Sequence, residues 1–305
     1  MIRKINVDEI DIIDPILTKF GQEVDSSVPP TFIEILRTSI IDGKSFAYGS
    51  FIDNNTLNGI GLFGNVSKRI SVVYAEGISD IEKKLLDTIF TNHSPTSPYI
   101  GVGGAWVTDS ISNHLVGLGF RKIDRAYMTL DKISIGALEE PLLPNTLEFE
   151  VYHESEIDEL AQLMFRSNNG QIDQIIFPNF FGTTDTCKEL IKNIVKSVYG
   201  DYKEPYSWLL REGGKLVGAC FITTRDKGGT GYIPDIVIDP DYQGKGLGKA
   251  ILIHSMKETL AGEPSITEVG LDVTLENKAK FLYKSIGFET KNEYSMYTWL
   301  NKQNN

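Results

Sequence analysis

Cys187 and Cys220 are the only two cysteines among the 305 residues of this chain. They have no C-x-x-C or metal-ligand spacing, which argues against a disulfide scaffold, a zinc finger or a dithiol redox motif. Both read as small core residues. Histidine is nearly as scarce, and His93, His114, His153 and His254 show neither HExxH nor paired spacing, so no metal site is expected. No apolar run approaches the roughly 20 residues of a bilayer-spanning helix, and the opening MIRKINVDEI lacks the apolar stretch of a secretory signal. The expectation is therefore a cytoplasmic protein without a membrane partner. Basic residues are outnumbered, 30 Lys and Arg against 41 Asp and Glu, for a formal net charge of -11. Such a surface repels nucleic-acid phosphates and favours cationic solutes, so no nucleic-acid partner is expected and an amine is a better match.

What is present is enough chain for two ordinary domains and one informative stretch, GYIPDIVIDPDYQGKGLGKAILIHSMK, from Gly231 to Lys257. A β-branched strand ending in Ile236, Val237 and Ile238 turns at Asp239, Pro240 and Asp241. After a glycine-rich corner it enters a helix with an apolar face at Leu247, Ile251, Leu252 and Met256. The first N–H groups of such a helix lack internal partners and sit at its positive end, where a phosphate is well placed. A side chain at the glycines would hold that phosphate off. A Walker loop is excluded because Ala250 follows Lys249 where a hydroxyl is required. A dinucleotide fingerprint is excluded because Lys249 occupies the place of its third glycine.

Gln243, Gly246 and Gly248 match a Gln/Arg-x-x-Gly-x-Gly/Ala signature directly after a strand. Downstream, VGLDVTLENKAKFLYKSIGF supplies Asn277 at a strand end, Tyr283 on the next helix and a Gly287-Phe288 stop. Together the two motifs resemble the acyl-coenzyme A binding segments of the GNAT superfamily of N-acetyltransferases. The resemblance implies an α/β (α+β) fold with a mixed, mostly antiparallel twisted sheet flanked by helices, with acetyl-CoA as acetyl donor and no metal.

The order of elements occurs twice: a strand, two helices, three antiparallel-looking strands, then helix, strand, helix and strand. The stretch GALEEPLLPNT separates the copies. The expected division is a first domain over 1–133, a linker over 134–146 and a second domain over 147–305, a tandem arrangement that resembles mycothiol synthase-type acetyltransferases. Asp53, Asn54 and Asn55 read as a hairpin turn. Laying Gly119-Phe120 on Gly287-Phe288 brings Ala75, Ile78 and Asp80 opposite Gln243, Gly246 and Gly248, and Leu115 opposite Tyr283. The first copy thus lacks the phosphate glycines, and its Ser79 with Glu82 reads as a capping box. It is expected to keep the fold without binding coenzyme A in this manner.

For the second copy the resemblance implies that the main chain of Gln243, Gly244, Lys245, Gly246, Leu247, Gly248 and Lys249 holds the pyrophosphate. Strand residues Ile236, Val237 and Ile238 would line the pantetheine arm, with Val237 or Ile238 giving an N–H to the thioester oxygen, and Asn277 would also contact the cofactor. Tyr283 stands where the family places its general acid, although packing beside Leu282 and Ile286 is the alternative reading. The base is open. The family's strand carboxylate is missing at Tyr232 and Pro234; Asp235 is adjacent, but strand alternation points it away unless a bulge re-aims it. Asp272, Glu276 or a water chain are the other candidates. The segment NNGQIDQIIFPNFFGTT, with Phe177, Phe180 and Phe181, is where acceptor recognition is expected. The function that follows is acetyl transfer to a primary amine of a small molecule. A non-catalytic acyl-CoA-binding or regulatory protein on the same fold is the alternative.

Overall fold

The computed structural model describes residues 1–25, 31–53, 56–77, 79–140, 142–226 and 229–301. They fall into two compact units, Met1–Ile123 with Ser295–Asn305, and Asp124–Tyr294. These bounds differ from a division at 134–146 because the chain from Asp124 onward pairs within the second unit and the chain from Ser295 onward pairs within the first.

In the first unit, strands β1 (Ile2–Lys4), β2 (Ser45–Phe51), β3 (Leu57–Gly64), β4 (Arg69–Ala75) and β5 (Tyr99–Val102) stand side by side in that order. Only β4 and β5 are parallel among these pairs. Helices α1 (Asp14–Glu23), α2 (Phe32–Ile41), α3 (Ser79–His93) and α4 (Asp109–Gly117) accompany them. Asn54 and Asn55 of the expected hairpin turn lie outside the described residues, as does the side chain of Ser79 in the expected capping box.

The expected closing strand of this unit, β6 (Arg121–Asp131), is not the one that pairs with β5. That place is taken by the end of β12 (Glu289–Leu300), with Tyr297 opposite Val102 and Leu300 opposite Tyr99. The fit is intimate. Tyr297 is buried in the unit's core and its hydroxyl donates to Ser112 Oγ at 2.7 Å, while Trp299 meets Phe90 edge to face at 5.1 Å. From Asp124 onward β6 instead pairs with β11 (Glu268–Thr274) of the second unit. Alternation in sequence reveals that a segment is a strand and which face it buries. It does not reveal which sheet edge accepts it.

The second unit orders its strands β6-β11-β10-β9-β8-β7, with β7 (Leu147–Val151), β8 (Asp201–Glu212), β9 (Lys215–Arg225) and β10 (Thr230–Ile238). Its one parallel pair is β10 with β11, the others being antiparallel. Strand β9 is buried along nearly its whole length because helices cover both faces. On one face α10 (Leu247–Gly262) and α11 (Ala279–Ile286) close a core around Cys220, Ile222, Ile251, Met256, Leu271 and Tyr283. On the other, α6 (Ile157–Asn168) and α9 (Thr184–Val195) close a core around Leu163, Ile191, Phe221 and Val237. The stretch read as linker contains a short helix, α5 (Lys132–Ala137), and α7 (Ile172–Ile176) and α8 (Pro178–Phe181) lie between α6 and α9.

Removing an aromatic side chain from a core costs about 3–5 kcal/mol, and the first unit draws two of its core aromatics from Tyr297 and Trp299. A fragment of residues 1–146 is therefore expected to lack a cooperative urea transition and to aggregate through the bare β5 edge. A sharp, reversible transition in that fragment would show that the C-terminal strand is dispensable.

Candidate functional site

Strand β10 is the element from which the site is built. Its ladder with β11 covers only Thr230, Gly231 and Tyr232, opposite Glu268, Val269 and Gly270, and no pairing continues beyond Tyr232. Strand β11 keeps its pairing with β6 as far as Thr274, so the two parallel strands part from Ile233 to Ile238. On its other edge β10 has a bulge: Tyr232 lies opposite Thr223, yet Asp235 lies opposite Phe221. Thr223 and Phe221 are two apart and share a face, so Asp235 is turned onto the face of Tyr232. That is the face covered by α6 and α9. The bulge answers the alternation argument that had aimed Asp235 away.

Beyond β10 the chain is pinned before it is left open. The N–H of Asp239 donates to Val217 O at 2.8 Å. The buried Asp239 carboxylate accepts from Asp241 N–H at 3.0 Å and from Arg166 Nη2 at 3.1 Å. Burial alone would raise its pKa, but these donors and nearby Lys215 hold it below the usual carboxylate range. The carbonyl of Ile238 accepts from Ser167 Oγ at 3.0 Å and Gln243 Nε2 at 3.1 Å. The Gln243 side chain thus fastens the corner to the strand end.

Gly244 and Gly246 then take φ of +73° and +81°, left-handed values that side chains disfavour, and a Cβ at either would enter open space. Gly246 caps α10 without any side-chain bond, and the first helical bond runs from Ala250 N–H to Gly246 O at 3.0 Å. Consequently the N–H groups of Gly244, Lys245, Gly246, Leu247, Gly248 and Lys249 have no acceptor among the described residues. A run of unpaired amides at a helix N-terminus fits an anionic diphosphate. Gly248 serves a different end: a Cβ there would meet Leu282 Cδ2 at 3.3 Å and Ile238 Cγ1 at 3.6 Å, so this glycine lets α10 close on α11 and β10. Beside the corner lies a cavity of about 710 Å³ that Lys245, Gly246, Lys249 and Tyr242 line together with Leu138, Leu143 and Leu147.

Tyr283 and Asp235 approach the parted strands from opposite sides. The Tyr283 ring is buried on the α10 side, tilted against Phe288 at 5.9 Å. Burial raises its pKa well above that of an ordinary phenol, with further contributions from Cys220 and the carboxylates of Asp235 and Asp173. Asp235, facing α9, has its carboxyl pushed up to about 7 by burial first and by Asp173 second. Burial also pushes the Cys187 and Cys220 thiols up to about 12, which removes either as a nucleophile at neutral pH.

Sequence reasoning missed Asp173. From α7 its carboxylate accepts from Thr274 Oγ1 at 2.7 Å and Asn277 Nδ2 at 2.5 Å, while Asn277 Oδ1 accepts the Ala279 N–H at 2.9 Å. The Asn277 side chain therefore ties the end of β11 to α7 and to the first N–H of α11. The one signal for Asp173 was its place in the segment already marked for acceptor recognition. Of the other base candidates, Asp272 receives the hydroxyls of Tyr232 at 2.9 Å and Tyr294 at 2.7 Å, and Glu276 is exposed. Phe177, Phe180 and Phe181 pack mainly on one another and on the α9 core. Among the described residues, no group of three or more His, Cys, Asp or Glu is arranged to hold a metal, and no helix is long and apolar enough to cross a membrane.

Residues 172–288, which hold β10, the glycine corner, Asp173, Asp235, Asn277 and Tyr283, match the model of the Acetyltransferase (GNAT) family. The match is confined to the second unit. Over 80 residues the chain is 35% identical to the [Ribosomal protein bS18]-alanine N-acetyltransferase of Escherichia coli strain K12 and to that of Shigella flexneri. The match covers 26% of this chain, which spans about half (51%) of the length of these curated relatives. Among solved structures, a tandem GNAT protein from the clavulanic acid biosynthesis pathway superposes with a TM-score of 0.61 at 11% identity, covering 99% of this chain and 98% of that one. A GCN5-related N-acetyltransferase from Sphaerobacter thermophilus gives 0.57 at 15% identity, covering 99% and 95%. These likenesses establish a tandem GNAT fold over nearly the whole chain.

The raised pKa of Asp235 links the site to stability. Between about pH 4 and 7 the folded chain keeps a proton on Asp235 that the unfolded chain has lost, so stability falls as pH rises through that window. Asp235→Asn removes the penalty and is expected to stabilise the protein at pH 8, by at most about 4 kcal/mol. The gain should shrink towards pH 4. Urea unfolding of both proteins at three pH values measures it, and a gain independent of pH would mean that Asp235 is not held in a desolvated place.

Proposed function

We propose that the second unit transfers an acetyl group from acetyl-CoA to a primary amine of a small molecule. The observation that carries the reading is the opening between β10 and β11, with unpaired amides at one end of it and Asp235 and Tyr283 on its two sides. Acetyl-CoA would supply the activated acyl group as a thioester. The main chain from Gly244 to Lys249 would hold its diphosphate, and the β10 edge left bare by β11 would pair with the amides of its pantetheine arm as an added strand does. The N–H of Val237 or Ile238 would then lie along that arm.

Asp235 acts as the base. An amine of pKa about 10 is protonated at neutral pH, and a carboxylate titrating near 7 accepts its proton far better than one titrating near 4. Burial first, and Asp173 second, keep Asp235 in this range, and Asp173 adds negative charge that draws a cation in. Tyr283 acts as the acid. Its phenol stays protonated throughout the neutral range and so keeps a proton to give to a departing thiolate. The bulge brings Asp235 to the face of Tyr232, where it can serve in place of the strand carboxylate missing at Tyr232 and Pro234. The first unit, whose α3 begins with Asp80 and Glu82 in its first turn, offers an anion repulsion where the second offers bare amides, and it binds no coenzyme in this way.

Two experiments test this reading. Gly246→Ala forces a left-handed residue and places a methyl group in the anion seat; it is expected to weaken coenzyme A binding at least about tenfold by calorimetry. An unchanged affinity would move the cofactor elsewhere. Tyr283→Phe is expected to lower kcat about 10²-fold with little change in coenzyme affinity, and Asp235→Asn to abolish the rise in rate through pH 7. Full turnover in the first variant, or an intact acidic limb in the second, would remove that residue from the chemistry.

A further inference from the structure

The face of the sheet that carries Asp235 also carries two arginines that pair with no carboxylate among the described residues. Arg125 lies on β6 opposite Thr274, the residue bonded to Asp173, so it shares the acceptor-side face. Its guanidinium stacks over the Phe177 ring at 4.7 Å, and its Nε is buried without a hydrogen-bond acceptor. Arg225, at the end of β9, lies 3.3 Å over the ring of Tyr232, with Nε donating to Tyr199 O at 3.1 Å. Neither makes an ion pair among the described residues. The nearby carboxylate, Asp272, is taken up by the two phenols of Tyr232 and Tyr294, one on each oxygen.

Arg125 also has a hydrogen bond with Tyr294, but its buried Nε stays open, and an arginine fork grips a carboxylate through parallel N–H bonds. Arg125 is two strands from Asp235, across β11; regular spacing would put the two backbones on the order of 10 Å apart, and the parting of β10 from β11 adds to that. Negative charge from Asp235 and Asp173 stands at one end of this span and positive charge from Arg125 at the other. We propose that the acceptor is an amine that also bears a carboxylate, of amino-acid dimensions, with its amine at Asp235 and its carboxylate at Arg125, and with Arg225 holding Tyr232 in place beneath it. The inference rests on the acetyl-transfer reading above and narrows its acceptor.

The test compares each of a set of L-amino acids with its carboxamide, using release of free coenzyme A thiol with acetyl-CoA as donor. The acid is expected to have a KM at least about tenfold lower than the amide. In Arg125→Gln that preference should fall to about twofold or less, and Arg125→Lys, which keeps the charge and loses the fork, should retain part of it. Thermal unfolding of each variant checks that the fold is intact. Equal use of acid and amide, or a preference that survives Arg125→Gln, overturns the proposal. So does a protein that binds acetyl-CoA by calorimetry and turns over only amines without a carboxylate, or none of either set, and in that case the transfer reading stands or falls separately on other acceptors. Absence of acetyl-CoA binding would instead sink the transfer reading itself.

Discussion

Everything at the site depends on two adjacent parallel strands ceasing to pair. A ladder lost over six residues leaves backbone donors and acceptors without partners, and buried backbone groups of that kind are costly unless something else satisfies them. The rest of the unit keeps the gap from closing. Asp239, Arg166, Ser167 and Gln243 fasten the far end of β10, β9 holds its other edge on both sides of the bulge, and Asp173 with Asn277 and Thr274 fixes the end of β11. The opening is therefore a built feature with rigid edges, suited to a ligand that brings its own amides.

The gap also sorts charge. Tyr283 sits among apolar side chains on the face of α10 and α11, while the three aspartates 173, 235 and 272 stand on the face of α6 and α9. An acyl donor and a cationic acceptor can thus approach a common point from opposite sides of one sheet, each through surroundings matched to it. Had β10 run without its bulge, Asp235 would have been driven into the α10 core, where Cys220 and Ile251 leave no partner for a carboxylate.

Much of this was legible in the chain itself. Glycines at 244 and 246 after a β-branched run announced a glycine-rich corner and a helix start, and Tyr283 with Gly287-Phe288 marked the helix that follows. Gly248 looked like one more phosphate glycine, but only the packing of Leu282 and Ile238 reveals why it has no side chain. Asp173, Arg125 and Tyr294 come together from widely spaced parts of the sequence, and nothing local marks them. Their meeting is decided by tertiary pairing of β6 with β11 and by the docking of α7. The bulge is of the same kind: one extra residue in a strand leaves no signature in composition, though it reverses the direction of every side chain after it.

The placing of Tyr297, Trp299 and Asn301 in the first unit has a consequence for how the molecule comes into being. On the ribosome these residues emerge after all the others described here, so the half of the molecule synthesised first must wait, with β5 uncovered, until the half synthesised second has left the exit tunnel. The two halves cannot be separated by a simple cut, nor shuffled as independent modules, because each contains a piece of sequence that belongs by position to its neighbour.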